Sequence, residues 1–211
     1  MNAIQTIVKN DTAGVVLADQ AEDLSAFLEP DCAAAIWRRQ ADTGFQSWID
    51  KLPTSQLPQG RVILQPAGVR SAVTELFEIA NTPDCPERDQ LEDDIVALAD
   101  VFTELMQTPY LRLKLLVVDN NACRKFHVDA LTGRLVCTYR GTGTQYGISK
   151  NGDDPARVFT VTTGAPILLR GSLWPAEPAS GLLHRSPPIE GKGETRLLLV
   201  LDALNEPDTA V

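Results

Sequence analysis

The chain has 211 residues, 44% of them hydrophobic and 22% charged, with a net charge of −9. That length suffices for one well-packed core, and the acidic balance excludes a nucleic-acid footprint, which needs lysine and arginine to release counterions. No apolar run reaches the roughly 20 residues that span a bilayer. The opening stretch, residues 1–10, lacks the basic start and apolar core of a leader, so a cytoplasmic protein with no membrane partner is expected.

Residues 1–30 are loosely patterned. Asp31 has the character of a cap for a helix through Cys32, three alanines, Ile36, Trp37 and two arginines. A short helix is predicted over 45–52, stopped by Pro53, then a strand over 61–65 and a helix over 69–79. Asp84 and Glu87 have capping-box spacing ahead of the clearest helix, about 86–107. There Leu91, Ile95, Leu98, Phe102 and Leu105 recur at steps of four and three and build one apolar stripe. Asp93, Asp94, Asp100 and Glu104 lie on the other side, and Thr108-Pro109 ends the run.

From Tyr110 the period changes. Strands are predicted over 111–118, 124–129, 134–140, 157–162, 166–170, 182–186 and 196–201. A glycine-rich connection runs from Gly141 through Gly147 to the Lys150–Pro155 stretch. Many short strands with turn signals between them suggest a sandwich or barrel.

The only two histidines fall into one pattern. His127 opens His127-Val128-Asp129, and His184 stands in a later predicted strand. Side chains two apart on a strand share a face, so His127 and Asp129 project together and His184 can join them from another strand. Two imidazoles and a carboxylate on one face of a metal leave positions open, the ligand set associated with non-haem Fe(II) oxygenases; such sites also take Zn, Mn, Co and Ni. Arg196 opens Arg196-Leu-Leu-Leu-Val-Leu-Asp202, where Arg196, Leu198 and Val200 share one face. An arginine turned into an apolar barrel needs an anion to offset its desolvation, and a carboxylate fits its fork. Tyr139 and Arg140, on the strand after His-x-Asp, are further candidate contacts. Gly141-Thr-Gly-Thr144 lacks the lysine of a phosphate loop. The four cysteines are widely spaced and expected to be free thiols. Cys123 reads as a buried small apolar residue, with a place beside the ligands as its alternative.

On His127-x-Asp129, His184 and Arg196, residues 111–204 resemble the double-stranded β-helix core of Fe(II)/2-oxoglutarate dioxygenases. The Ser or Thr common two residues after the arginine is here Leu198. On Cys123-x-x-Phe126-His127-x-Asp129, the Arg134–Thr144 stretch, and His184-Arg-Ser-Pro-Pro, most of the chain resembles the bacterial domain-of-unknown-function family eighteen-twenty-six. The resemblances imply an α+β fold. A helical N-terminal region, 1–110, packs on a jelly-roll, cupin-like barrel, 111–211, as one structural unit. They imply metal binding by His127, Asp129 and His184, with Fe(II), 2-oxoglutarate held by Arg196, and dioxygen as partners. The alternative is a cupin-like Zn(II) or iron-handling protein without a cosubstrate.

Overall fold

The computed structural model describes residues 8–9, 14–149, 152–175 and 181–207. Most of the N-terminal stretch read for a leader lies outside the described residues, as do Lys150 and Asn151 of the glycine-rich connection.

Four strands precede the predicted barrel region: β1 (Val8–Lys9), β2 (Val15–Ala18), β3 (Ala34–Trp37) and β4 (Gly60–Leu64). Three α-helices accompany them: α1 (Thr43–Lys51), α2 (Val69–Ala80) and α3 (Pro86–Met106). Then come β5 (Tyr110–Val118), β6 (Gly133–Arg140), β7 (Gln145–Ile148), β8 (Phe159–Thr160), β9 (Pro166–Arg170), β10 (Leu182–Arg185) and β11 (Arg196–Leu204). Among the described residues, one sheet runs β1-β2-β3-β9-β6-β11-β5-β4 and a second runs β10-β7-β8. Chain-distant strands therefore lie side by side, as in a jelly roll.

β11 is an interior strand of the large sheet. It pairs antiparallel with β5 along its whole length and with β6 along most of it. Its side chains alternate as the sequence predicts. Leu197, Leu199 and Leu201 join the core under the helices, while Leu198 and Val200 join a second core between the two sheets. The second core also takes Val136 and Ile167 from the large sheet, and Tyr146 and Leu182 from the small one.

The α3 stripe packs as expected, with Leu91, Ile95, Leu98 and Phe102 fully buried against the outer face of the large sheet. A polar tie fixes the helix there. Asp94 accepts two bonds from Arg39, at 2.5 and 2.7 Å, and one from the Tyr139 hydroxyl at 2.7 Å.

Several expectations need correction. The stretch after Asp31 is strand β3, not a helix. It lies between β2 and β9, and Ala33, Ala34, Ala35 and Ile36 are all buried. Burial on both faces overrides the helix preference of alanine. Helix α3 is not opened by an Asp84–Glu87 box: Cys85 is its N-cap and Pro86 its first residue. Proline's fixed φ suits that first position and moves the start past Asp84. The strand expected over 124–129 is reduced to a single bridge at His127; the chain enters it through Cys123 in a left-handed conformation (φ 55°). The one expected over 157–162 shortens to Phe159–Thr160. Part of the supposed glycine-rich connection is strand β7, and residues 8–64 contribute four strands as well as a helix.

Asp94→Ala would strand the half-buried Arg39 and the phenol of Tyr139. Unfolding by denaturant is expected to show a loss of about 2 kcal/mol, the scale of hydrogen bonds to a charged group, with a larger fall at pH 7 than in Asp94→Asn.

Candidate metal centre

The two histidines meet through their backbones. His127 and His184 exchange both N–H···O=C bonds, each 3.0 Å. That makes them a closed antiparallel pair with side chains on one face. Their ring centroids are 4.5 Å apart. His184 is in β10, beside Tyr146 of β7, and shares its face with Leu182, which faces the inner core. The Nδ1 of His127 lies 2.8 Å from the carbonyl of Lys125. With its proton donated there, Nε2 is left as a free lone pair, the usual tautomer for a metal ligand.

Asp129 is placed by its backbone. Its carbonyl accepts from Ser172 at 2.8 Å. A Cβ on Gly171 would stand 2.8 Å from that carbonyl and would also collide with the carbonyl of Leu131. Only glycine lets the two loops lie this close. The carboxylate then points at the histidines: Oδ2 is 3.1 Å from Nε2 of His184, and Oδ1 is 3.7 Å from Nε2 of His127. One ligand atom from each of the three residues lies within 4.8 Å of the others.

The electrostatics fit a cation. Burial alone would raise the carboxyl of Asp129, but the close approach of His184 and the Arg134, His184 and His127 charges outweigh it and lower its pKa. Burial pushes His184 down, partly offset by Asp129, which favours the neutral imidazole that binds metal. Oδ2 of Asp129 is buried with no hydrogen bond of good geometry. A buried acceptor in that state is costly unless something binds it. Two imidazole nitrogens and one carboxylate oxygen suit a borderline divalent metal such as Fe(II), Zn(II), Mn(II) or Co(II).

Arg196 is 0% exposed. Its Nε donates to the carbonyl of Thr142 at 2.6 Å, and Nη2 lies 3.5 Å from the hydroxyl of Thr138. Its Nη1 is buried without a partner. Glu194 does not neutralise it by contact, because both its oxygens are taken by Thr142, at 2.6 and 3.0 Å. Burial lowers the guanidinium pKa to about 10, partly offset by the charge of Glu194. It therefore remains a cation at neutral pH, turned into the barrel with one donor free.

The other expected residues sit elsewhere. Tyr139 faces the helices and binds Asp94; Arg140 donates to the carbonyl of Leu52 at 2.7 Å, closing the end of α1. Neither is brought to His127, Asp129 and His184. Arg185 turns away from His184, donating to Gln145 and lying over Phe126. Cys123 is exposed, not buried, and stands outside the His127–Asp129–His184 group. The four cysteines are free.

Two residues escaped the sequence reading. Thr138 lies directly across from Leu198 in the β6–β11 pair, so the hydroxyl missing at Leu198 is present one strand away. Arg134 holds Oδ1 of Asp129 at 2.6 Å. The signal for both was the period-two face Arg134-x-Val136-x-Thr138, which points into the barrel.

Comparison with solved structures returns a dioxygenase for auxin oxidation from Arabidopsis thaliana, in complex with 2-oxoglutarate. It has 9% identity and a TM-score of 0.52, covering 93% of this chain and 94% of that one. A 2OG-Fe(II) oxygenase family oxidoreductase from Burkholderia pseudomallei has 15% identity and a TM-score of 0.48, covering 89% and 92%. The rice dioxygenase for auxin oxidation has 15% identity and a TM-score of 0.47, covering 87% and 78%. The first likeness shows a shared fold. No curated protein matches, and no helix among the described residues is long and apolar enough to cross a membrane. The model of a protein family of unknown function, DUF1826, matches residues 18–202, and the chain belongs to that family.

Proposed function

We propose that the protein is an Fe(II)- and 2-oxoglutarate-dependent oxygenase. His127, Asp129 and His184 hold the iron, and Arg196 holds the distal carboxylate of 2-oxoglutarate. The observation that carries this reading is Arg196. A buried guanidinium with a free Nη1 and no carboxylate partner is a site built for an anion. A Zn(II) or iron store built on the same three ligands has no need of it.

Each residue has a task. The carbonyl of Thr142 fixes the guanidinium plane through Nε, which leaves Nη1 and Nη2 to form the fork for a carboxylate. Thr138 presents a hydroxyl on the same side, close to Nη2. Leu198, Val200, Val136 and Tyr146 give an apolar wall on the barrel face shared by Arg196 and His184, which excludes water and strengthens the charge pairing. The bound iron and cosubstrate supply the oxidising chemistry. The protein supplies three ligands on one side of the metal and the orientation of the cosubstrate. The 2-oxoglutarate bound in the Arabidopsis dioxygenase of the same fold supports this assignment.

Conversion of 2-oxoglutarate to succinate by the Fe(II)-loaded protein is the first test. Asp129→Ala and His184→Ala are expected to reduce it at least a hundredfold; turnover unchanged in both would remove the assignment. A second prediction concerns Thr138. Thr138→Val should raise the Kd for 2-oxoglutarate about tenfold, the effect of one hydrogen bond to a charged group, while Thr138→Ser keeps it near wild type. Equilibrium binding to the Ni(II)-loaded protein reads both.

A further inference from the structure

The side chain that touches Asp129 most closely is an arginine, and it has a second anchor. Arg134 Nη1 stands 2.6 Å from Oδ1 of Asp129. Its Nε and Nη2 donate to the two oxygens of Asp202, at 2.6 and 3.1 Å. Asp202 is fully buried near the end of β11 and also binds Lys114 at 2.9 Å, with Arg112 at 3.8 Å. The guanidinium is planar and rigid, so Asp202 sets where Nη1 lies, and Nη1 sets the rotation of the Asp129 carboxylate. The two oxygens of Asp129 are thereby made unequal. Oδ1 is occupied by a cation. Oδ2 is buried, has no hydrogen bond of good geometry, and faces Nε2 of His184 at 3.1 Å.

We propose that Arg134 is a positioning residue that forces Asp129 to bind the metal through Oδ2 alone. This rests on the iron site proposed above. A dication placed to share Oδ1 would stand against the guanidinium charge at short range, where like charges repel strongly. A carboxylate free to turn can chelate with both oxygens and occupy two coordination positions. Held as it is here, Asp129 would occupy one. The three protein ligands would then leave an octahedral metal three positions for other ligands instead of two. The Asp202–Lys114–Arg112 cluster supports Arg134 from behind, so the device spans β5, β6 and β11 and is joined to the metal ligand at one atom.

The test counts ligand positions and needs no turnover. Mn(II) is bound to the full-length protein, and its exchangeable waters are measured by water-proton relaxation. Arg134→Met removes the ion pair. Arg134→Gln, whose amide can still meet Asp202, serves should the Met protein fail to fold. Either is expected to lower the relaxation per bound Mn(II) by about one third, as one of three waters is displaced by Oδ1. Arg134→Lys, which can still donate to Oδ1, should keep most of the wild-type signal. An unchanged signal in Met and Gln variants that fold and bind Mn(II) overturns the role of Arg134 and leaves the metal site intact. Mn(II) binding that survives in His184→Ala overturns the metal site itself, and this proposal with it.

Discussion

Charge buried without its full set of partners is the constraint around which this barrel is organised. Removing a guanidinium or a carboxylate from water costs several kcal/mol unless partners replace the lost solvation. Asp202 has that replacement in Arg134, Lys114 and Arg112. Arg196 does not, and neither does Oδ2 of Asp129. One leaves a donor unused and the other an acceptor. A ligand set and a cation so placed are a cost to folding that a bound metal and a bound anion can offset.

Strand β11 connects these features. Arg196 opens it and Asp202 lies near its end, on the same face, with Leu198 and Val200 between them. β11 is hydrogen-bonded to β5 on one side and β6 on the other, so Lys114, Arg134 and Thr138 fall beside it in fixed register. The opposite face of β11 is covered by the α3 core. The helices thus bury one side of the strand that carries the charges on the other. His184 enters from the smaller sheet, and His127 is coupled to it by a single closed backbone pair. Short strands suffice for such a site, because only three side-chain atoms need to be held together, not a long ladder.

Much of this was legible in the sequence. Period-two alternation in Arg196–Asp202 placed Leu198 and Val200 inside and Leu197, Leu199 and Leu201 outside. The sequence singled out His127, Asp129 and His184, whose ligand atoms do lie within 4.8 Å of one another, but the strand alternation expected to join the first two is absent: His127 is held by one bridge to His184 and Asp129 by a loop packed against Gly171. The failures have physical causes. The alanines of β3 read as helix because alanine prefers helix, and burial on both faces is invisible in a single segment. Tyr139 and Arg140 were assigned to the site because they follow it in the chain. A register shift between β6 and β11 at Leu197/Leu198 and their contacts with Asp94 and Leu52 place them on the helix side. Thr138 and Arg134 went unrecognised because their roles depend on cross-strand neighbours, Leu198 and Asp202, that only register reveals.

The most direct measurement is an anaerobic titration of the protein with Fe(II) and then 2-oxoglutarate, followed in the visible spectrum. A charge-transfer band with one-to-one saturation that is lost in both His184→Ala and Arg196→Ala is the result expected if the three ligands and the buried arginine form one site. A protein that binds Fe(II) through the same three residues and gives no band with 2-oxoglutarate would contradict it.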